Sequence, residues 1–182
     1  MIALKRILLS DCELYDWAVE LLKTSFPACE RRDDAFQRQI MSHADYRLVA
    51  IIDDGQPVGV MGYFDAPKFV YFENFCVCPD KRNCGYGSQV LSMLTENLDK
   101  PFVLEAELPV DELTKRRIAF YKRNGMTENP YPHVQPHYRN TDSDLRLVVL
   151  TYGKQLTQAQ YDDFRNYLDV NVDVKSPHYA FK

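Results

Sequence analysis

A chain of 182 residues with 46% hydrophobic and 26% charged side chains suits one domain with a modest appendage, and is too apolar to stay disordered. Its net charge of -4 and the lack of a Lys/Arg run argue against a primary nucleic-acid role, and no stretch approaches the roughly 20 apolar residues that span a bilayer. Met1 to Ser10 has neither the long apolar segment nor the cleavage site of an export signal, so a cytoplasmic protein is expected. The five cysteines then read as reduced thiols, and no His/Cys spacing forms a tetrahedral set, so no metal is expected.

Ile2 to Leu9 predicts a first strand, and Ser10 with Glu13 a capping box. Leu14, Trp17, Ala18, Leu21 and Leu22 then place one apolar stripe on a helix that Pro27 closes. Glu30 to His43 predicts a second, more exposed helix. From Tyr46 the period changes to alternation, Asp53-Asp54-Gly55 supplies a hairpin turn, and Val58 to Phe64 returns as the next strand. Phe69 to Val77 is a further strand, dense in aromatic and β-branched residues. A glycine-bearing loop leads into a helix carrying Val90, Leu91, Leu94 and Leu98. Phe102 to Glu107 is a strand, Leu113 to Asn124 a helix stopped by Gly125, and Leu145 to Tyr152 a final strand. Tyr161, Phe164 and Leu168 recur at helical spacing in a terminal helix, packed on the domain or on a partner chain. The order predicts a mixed α/β fold, with a central β-sheet flanked by helices and a parallel step on either side of the glycine loop. The expected division is a domain over residues 1–153 and a helical extension over 154–182, with a homodimer through that extension left open.

The segment from Phe75 to Ser88 is the most informative. It joins an apolar strand to the start of an amphipathic helix, where backbone N–H groups and the helix dipole favour a pyrophosphate. Gly85 and Gly87 allow close approach of phosphate oxygens, and Arg82 adds a full charge at the mouth. The pattern is neither a Walker A loop nor a dinucleotide-binding G-x-G-x-x-G.

Val77, Pro79, Arg82, Gly85 and Gly87 together resemble the acetyl-CoA signature of the GNAT superfamily of N-acetyltransferases, V-x-P-x-x-R/Q-x-x-G-x-G/A. Ile118 to Met126, with Tyr121 four residues before Gly125, is similar to that family's second hallmark. The resemblance covers roughly Ile2 to Tyr152. Two positions depart from it: Thr114 stands where many members carry an asparagine that contacts the pantetheine arm or phosphate, and Met126 replaces an aromatic residue.

The resemblance implies acetyl-CoA as acetyl donor and a primary amine of a small molecule or peptide as acceptor. It places Arg82, Asn83, Cys84, Gly85, Tyr86, Gly87, Ser88 and Thr114 at the cofactor. Backbone groups of Phe75, Cys76 and Val77 would meet the acetyl carbonyl and pantetheine, on a strand that splays from Phe102–Glu107. Tyr121 would protonate the leaving thiolate. Two glutamates compete for the role of base: Glu105, in a Leu-Glu-Ala resembling the L-E-V strand of ribosomal-protein and small-amine acetyltransferases, and Glu73, expected on one face with Phe75 and Val77. The loop Tyr131 to Arg139 would wall the acceptor side, with His133, His137, Tyr138 and Arg139 facing an acceptor carboxylate, while Asp142 and Asp144 could equally draw a cationic acceptor. The rival reading is a non-catalytic acyl-CoA-binding regulatory module.

Overall fold

Turn chemistry at Asp54 and Gly55 organises the first part of the chain. Both adopt positive φ, 46° and 80°, the combination a two-residue hairpin turn needs to match the twist of its strands. The computed structural model describes residues 1–96 and 98–180, and these form two units that divide at residues 97 and 98.

In the first unit four strands run in the order β1 (Ile2–Arg6), β2 (Tyr46–Asp53), β3 (Gln56–Ala66) and β4 (Phe69–Val77), each antiparallel to the next. Helix α1 (Cys12–Ser25) lays Tyr15, Ala18, Leu21 and Leu22 on β3 and β4. Fully burying a Leu-sized side chain stabilises the fold by about 1.5–3 kcal/mol, so this stripe holds α1 in place. The expected capping box at Ser10 is not formed. Asp11 is the N-cap, without a side-chain cap bond, because its carboxylate accepts from the Leu8 N–H at 3.3 Å and closes a turn backwards. Helix α2 is shorter than expected, Asp34–Ile40, and starts where the Asp33 carboxylate accepts from the Phe36 N–H at 2.9 Å. Helix α3 (Tyr86–Thr95) buries Val90 and Leu91.

A bulge in β4 changes which way its residues face. Phe72 pairs with Tyr63 and Asn74 with Gly62, so Glu73 is the extra residue. Phe72 and Phe75 therefore share a face, with ring centroids 5.4 Å apart. The Glu73 carboxylate instead meets Arg32, whose guanidinium lies over the Tyr46 and Phe64 rings on the other side. The expectation that Glu73, Phe75 and Val77 line one face fails here because one added residue breaks strict alternation.

In the second unit β8 (Arg146–Tyr152) pairs antiparallel with β5 (Phe102–Glu107) and also with the short β6 (Met126–Glu128) and β7 (His133–Val134). Helix α4 (Glu112–Arg123) begins at a reciprocal box between Asp111 and Thr114. It ends at Gly125, where φ is 83° and an added Cβ would sit 2.7 Å from the Tyr152 ring, so both conformation and space require glycine. Helix α5 (Gln158–Asn171) opens on a second box, Thr157 with Gln160, and buries Tyr161, Phe164 and Leu168. The chain is thus mixed α/β, with sheet and flanking helices and a C-terminal helix, as its pattern predicts. Among the described residues no helix is long and apolar enough to cross a membrane.

Candidate active site

After β4 the chain makes one short 3-10 turn, Pro79–Lys81, and reaches α3 through Arg82 to Gly85. Gly85 is the N-cap of α3, left-handed at φ 83°, and Asn83 is also left-handed at φ 64°. No side chain caps this helix, so its first-turn N–H groups can serve an external anion. A Cβ on Gly85 would have no neighbour closer than the Gln89 amide nitrogen, 3.6 Å away. Conformation, and not crowding, is what asks for glycine. Arg82, Asn83, Cys84 and Gly85 are exposed, as is Ser88, and Tyr86 and Gly87 are half-buried. The Arg82 Nε donates to the Val77 carbonyl at 3.4 Å and the Cys84 thiol to the Arg82 carbonyl at 3.5 Å.

Tyr86 anchors the loop. Its hydroxyl donates to the Asp53 carboxylate at 2.7 Å, which ties the start of α3 to the end of β2. That bond pushes the phenol up to about 12 and, with the N-terminal amine of Met1, holds Asp53 below its ordinary value. Cys76 is buried in β4, and burial pushes its thiol up to about 11. A thiol in that state is a poor nucleophile at neutral pH, which disfavours an acyl-cysteine route. Phe75 and Val77 alternate with it and are half-buried.

Glu73 has a fully buried side chain with both oxygens engaged: Arg32 donates Nη1 to Oε2 at 2.5 Å and Nη2 to Oε1 at 2.8 Å. Arg32 itself is 2% exposed at its side chain and lies 5.6 Å from the Tyr46 ring centroid.

In the second unit Glu105 sits on β5 with its side chain 6% exposed, and its Oε1 meets Nε2 of His133. The other ring nitrogen of His133, Nδ1, lies 3.1 Å from the Tyr161 hydroxyl, and that hydroxyl donates to the Pro132 carbonyl at 2.9 Å. Tyr121 is half-buried on α4, edge-on to Phe120 at 5.4 Å. Desolvation raises its phenol, and Arg117 partly offsets the rise. Thr114 is buried, and its hydroxyl donates to Asp111 Oδ1 at 2.8 Å within the cap of α4.

The loop expected to face the acceptor is largely turned to internal partners. His133 and Tyr138 are buried. His137 contacts Asp173 through Nδ1 at 3.2 Å and Asp144 through Nε2 at 3.0 Å. Asp142 accepts from the N–H groups of Tyr138 and Arg139 at 3.1 and 2.9 Å. Arg139 is half-buried. Nothing in the sequence marks Arg32, Asp53 or Tyr161 as a site residue. Arg32 and Asp53 lie 41 and 33 residues from their partners, with no local pattern to mark them, and Tyr161 read only as part of the apolar stripe of α5. A surface cavity of roughly 550 Å³, lined by Lys5, Cys12, Trp17 and Pro57 among others, holds none of the candidate residues.

The loop at the start of α3, with Tyr121 on a helix closed by Gly125, belongs to a known class of acyl-transferring enzymes. The chain is a member of the acetyltransferase (GNAT) family, whose pattern matches residues 12–126. A protein of Bacteroides thetaiotaomicron described as a GNAT-family acetyltransferase is 35% identical over 94% of this chain and 98% of its own, with a TM-score of 0.87. More distant structures share the fold. A GNAT acetyltransferase from Elizabethkingia anophelis with acetyl-CoA bound is 15% identical, with a TM-score of 0.58 over 84% of this chain and 98% of its own. The ribosomal-protein-S18-alanine N-acetyltransferase from Escherichia coli is 15% identical, with a TM-score of 0.57 over 86% and 96%. No curated protein matches the sequence.

Proposed function

We propose that this chain is an N-acetyltransferase that moves the acetyl group of acetyl-CoA to a primary amine of a small molecule or peptide. The observation that carries the reading is the Arg82–Ser88 loop, uncapped by any side chain and left-handed at Gly85, at the head of α3. Its N–H groups and Arg82 suit the pyrophosphate of CoA, and the main chain of Phe75, Cys76 and Val77 suits the pantetheine and the acetyl carbonyl.

Glu105 serves as the base, taking one proton from the acceptor ammonium so that the nitrogen lone pair can attack the thioester carbonyl. The C–N bond forms, the C–S bond breaks, and sulfur leaves with the electron pair. Tyr121 donates its phenolic proton to that sulfur, and desolvation keeps the phenol protonated until the thiolate forms. The nitrogen sheds its second proton as the amide forms and Tyr121 is reprotonated, so one proton is released to solvent per turnover. Glu73 is the weaker candidate, because Arg32 occupies both its oxygens. Thr114 is assigned to the cap of α4 instead of the pantetheine arm. Of the acceptor loop, half-buried Arg139 is better placed to meet a carboxylate-bearing acceptor than buried His133 and Tyr138, or than His137, whose ring nitrogens meet Asp173 and Asp144.

In this reading residues 1–153 form the catalytic domain, residues 154–182 are an extension, and the enzyme works in the cytoplasm. The Escherichia coli structure is named a ribosomal-protein-S18-alanine N-acetyltransferase, and peptide N-termini, lysine side chains, polyamines, aminoglycosides and amino acids are the acceptors to test. Incubating the protein with acetyl-CoA and one member of each class, and reading free thiol, tests the proposal. Amine-dependent release with at least one class supports it. Acetyl-CoA binding without release for any class favours the regulatory module.

A further inference from the structure

A tyrosine hydroxyl carries one hydrogen, and that of Tyr161 is directed at the Pro132 carbonyl 2.9 Å away. Toward His133 Nδ1, 3.1 Å away, Tyr161 can then only accept. The hydrogen of His133 is thereby fixed on Nδ1, and its Nε2 faces the Glu105 carboxylate across a direct contact. Two lone pairs at hydrogen-bonding range repel, so this contact is attractive only with a proton on the axis between Nε2 and Oε1.

We propose that His133 and Tyr161 are positioning residues for Glu105, so that the base is a Glu105–His133 pair that receives the acceptor's proton between Oε1 and Nε2. The proposal rests on Glu105 being the base and deepens that reading. The contact is the pair with that proton in place, and the pair acts as the base once the proton has left to solvent. The acceptor's proton then leaves its nitrogen, whose electron pair stays behind for the carbonyl, and the pair holds it until it returns to solvent. Nothing is oxidised or reduced. The surroundings keep the pair rigid. His133 is fully buried at its side chain and stacks on Phe164 at 5.8 Å, while Tyr131 stacks on Tyr161 at 4.3 Å. Across β8, Glu105 lies opposite Val149 and His133 opposite Leu147, both apolar.

The charged groups nearby are turned to other partners. On α5, Arg165 donates to the Val134 carbonyl at 2.8 Å and contacts Asp169 at 3.3 Å, and Asp162 accepts from Gln158 at 2.8 Å. On β5, Glu107 pairs with Arg117 of α4. Through Tyr161, α5, which lies beyond the matched family segment, thus helps to position the base.

The test reads the hydrogen directly. Nitrogen-15 histidine spectra of the free protein across pH should show that neutral His133 keeps its hydrogen on Nδ1, the tautomer less favoured in water. Tyr161→Phe should release it to Nε2. In thiol-release kinetics with the fastest amine of the panel, whose own ionisation is common to all variants, His133→Asn should move the acidic limb to lower pH. The move should be on the order of two units, the gap between ordinary imidazole and carboxyl titrations. Should His133→Asn fail to fold, Tyr161→Phe removes a single oxygen and still reads both the tautomer and the limb. Neutral His133 with its hydrogen on Nε2 overturns the proposal, as does an acidic limb that neither variant moves. Glu105→Gln with full rate and an unmoved limb sinks the assignment of Glu105 itself, and the tautomer, read without an acceptor, tells that failure apart.

Discussion

Arg32 holds Glu73 with both arms of its guanidinium, at 2.5 and 2.8 Å, and the two side chains are 2% and 0% exposed. Arg32 precedes α2 and Glu73 is the bulge residue of β4, so the pair joins a loop to the strand that leads into the α3 loop. A second tie runs beside it, from the Asn74 amide to the Glu30 carbonyl at 3.4 Å. A glutamate so held is built to fix structure.

Glu73→Gln should therefore act on stability. It leaves a buried guanidinium facing a neutral amide, and breaking a buried pair from one side costs about 3–5 kcal/mol. Replacing both residues with methionine should recover much of that loss, since buried pairs are often no better than apolar packing. Denaturant midpoints of the two variants check this, and a stable Glu73→Gln with altered pH–rate behaviour would return the residue to the chemistry.

Gly85→Val should weaken acetyl-CoA binding. Its backbone lies at φ 83°, and an added carbon would meet the Gln89 amide no closer than 3.6 Å, so the cost is conformational. Holding a β-branched residue there, or letting the loop relax away from the phosphates, should cost about 1–3 kcal/mol. Calorimetric titration with acetyl-CoA reads it directly. Unchanged affinity would separate the loop from the ligand.

The Tyr86–Asp53 bond predicts a pH dependence of stability on the acid side. Asp53 is held below its ordinary value, first by Tyr86 and then by the N-terminal amine. Its contribution is present above the unfolded carboxyl value, about 3.9, and is lost as pH falls through the lower folded value. Tyr86→Phe should flatten stability in that window by lowering its neutral-pH end while leaving its acid end unchanged, and the loss should be small because the bond lies near the surface. Thermal midpoints between neutral and strongly acidic pH test it.

Much of the fold is readable from local pattern. Phe69–Val77 and Phe102–Glu107 are strands over the very residues their apolar runs predict, because a dense β-branched and aromatic run has few alternatives. Local signals fail where two partners compete. Ser10 and Glu13 fit a capping box, yet Asp11 and Leu8 close a different turn. The short strands at Met126 and His133 exist because β8 offers them an edge, and two or three residues carry no period of their own. The α3 loop is visible because its glycines and Arg82 lie together in sequence. The Arg32–Glu73 and Glu105–His133 pairs are not, since 41 and 28 residues separate the partners and only the folded chain brings them together.

The proposed reaction is acetyl transfer from acetyl-CoA to an amine with Tyr121 as the acid. It is tested most directly by amine-dependent thiol release from acetyl-CoA, measured side by side for the wild type and Tyr121→Phe. The substitution deletes one oxygen and keeps the ring against Phe120. A positioned general acid contributes about 10²–10⁴-fold, and its bond to sulfur strengthens only as the thiolate forms. The wild type should release thiol only when amine is present, matched mole for mole by acetylated amine. Turnover of Tyr121→Phe should be lower by about 10²–10⁴-fold at unchanged acetyl-CoA affinity. Equal turnover by the two proteins, or acetyl-CoA binding by both with no amine-dependent release from either, would contradict it.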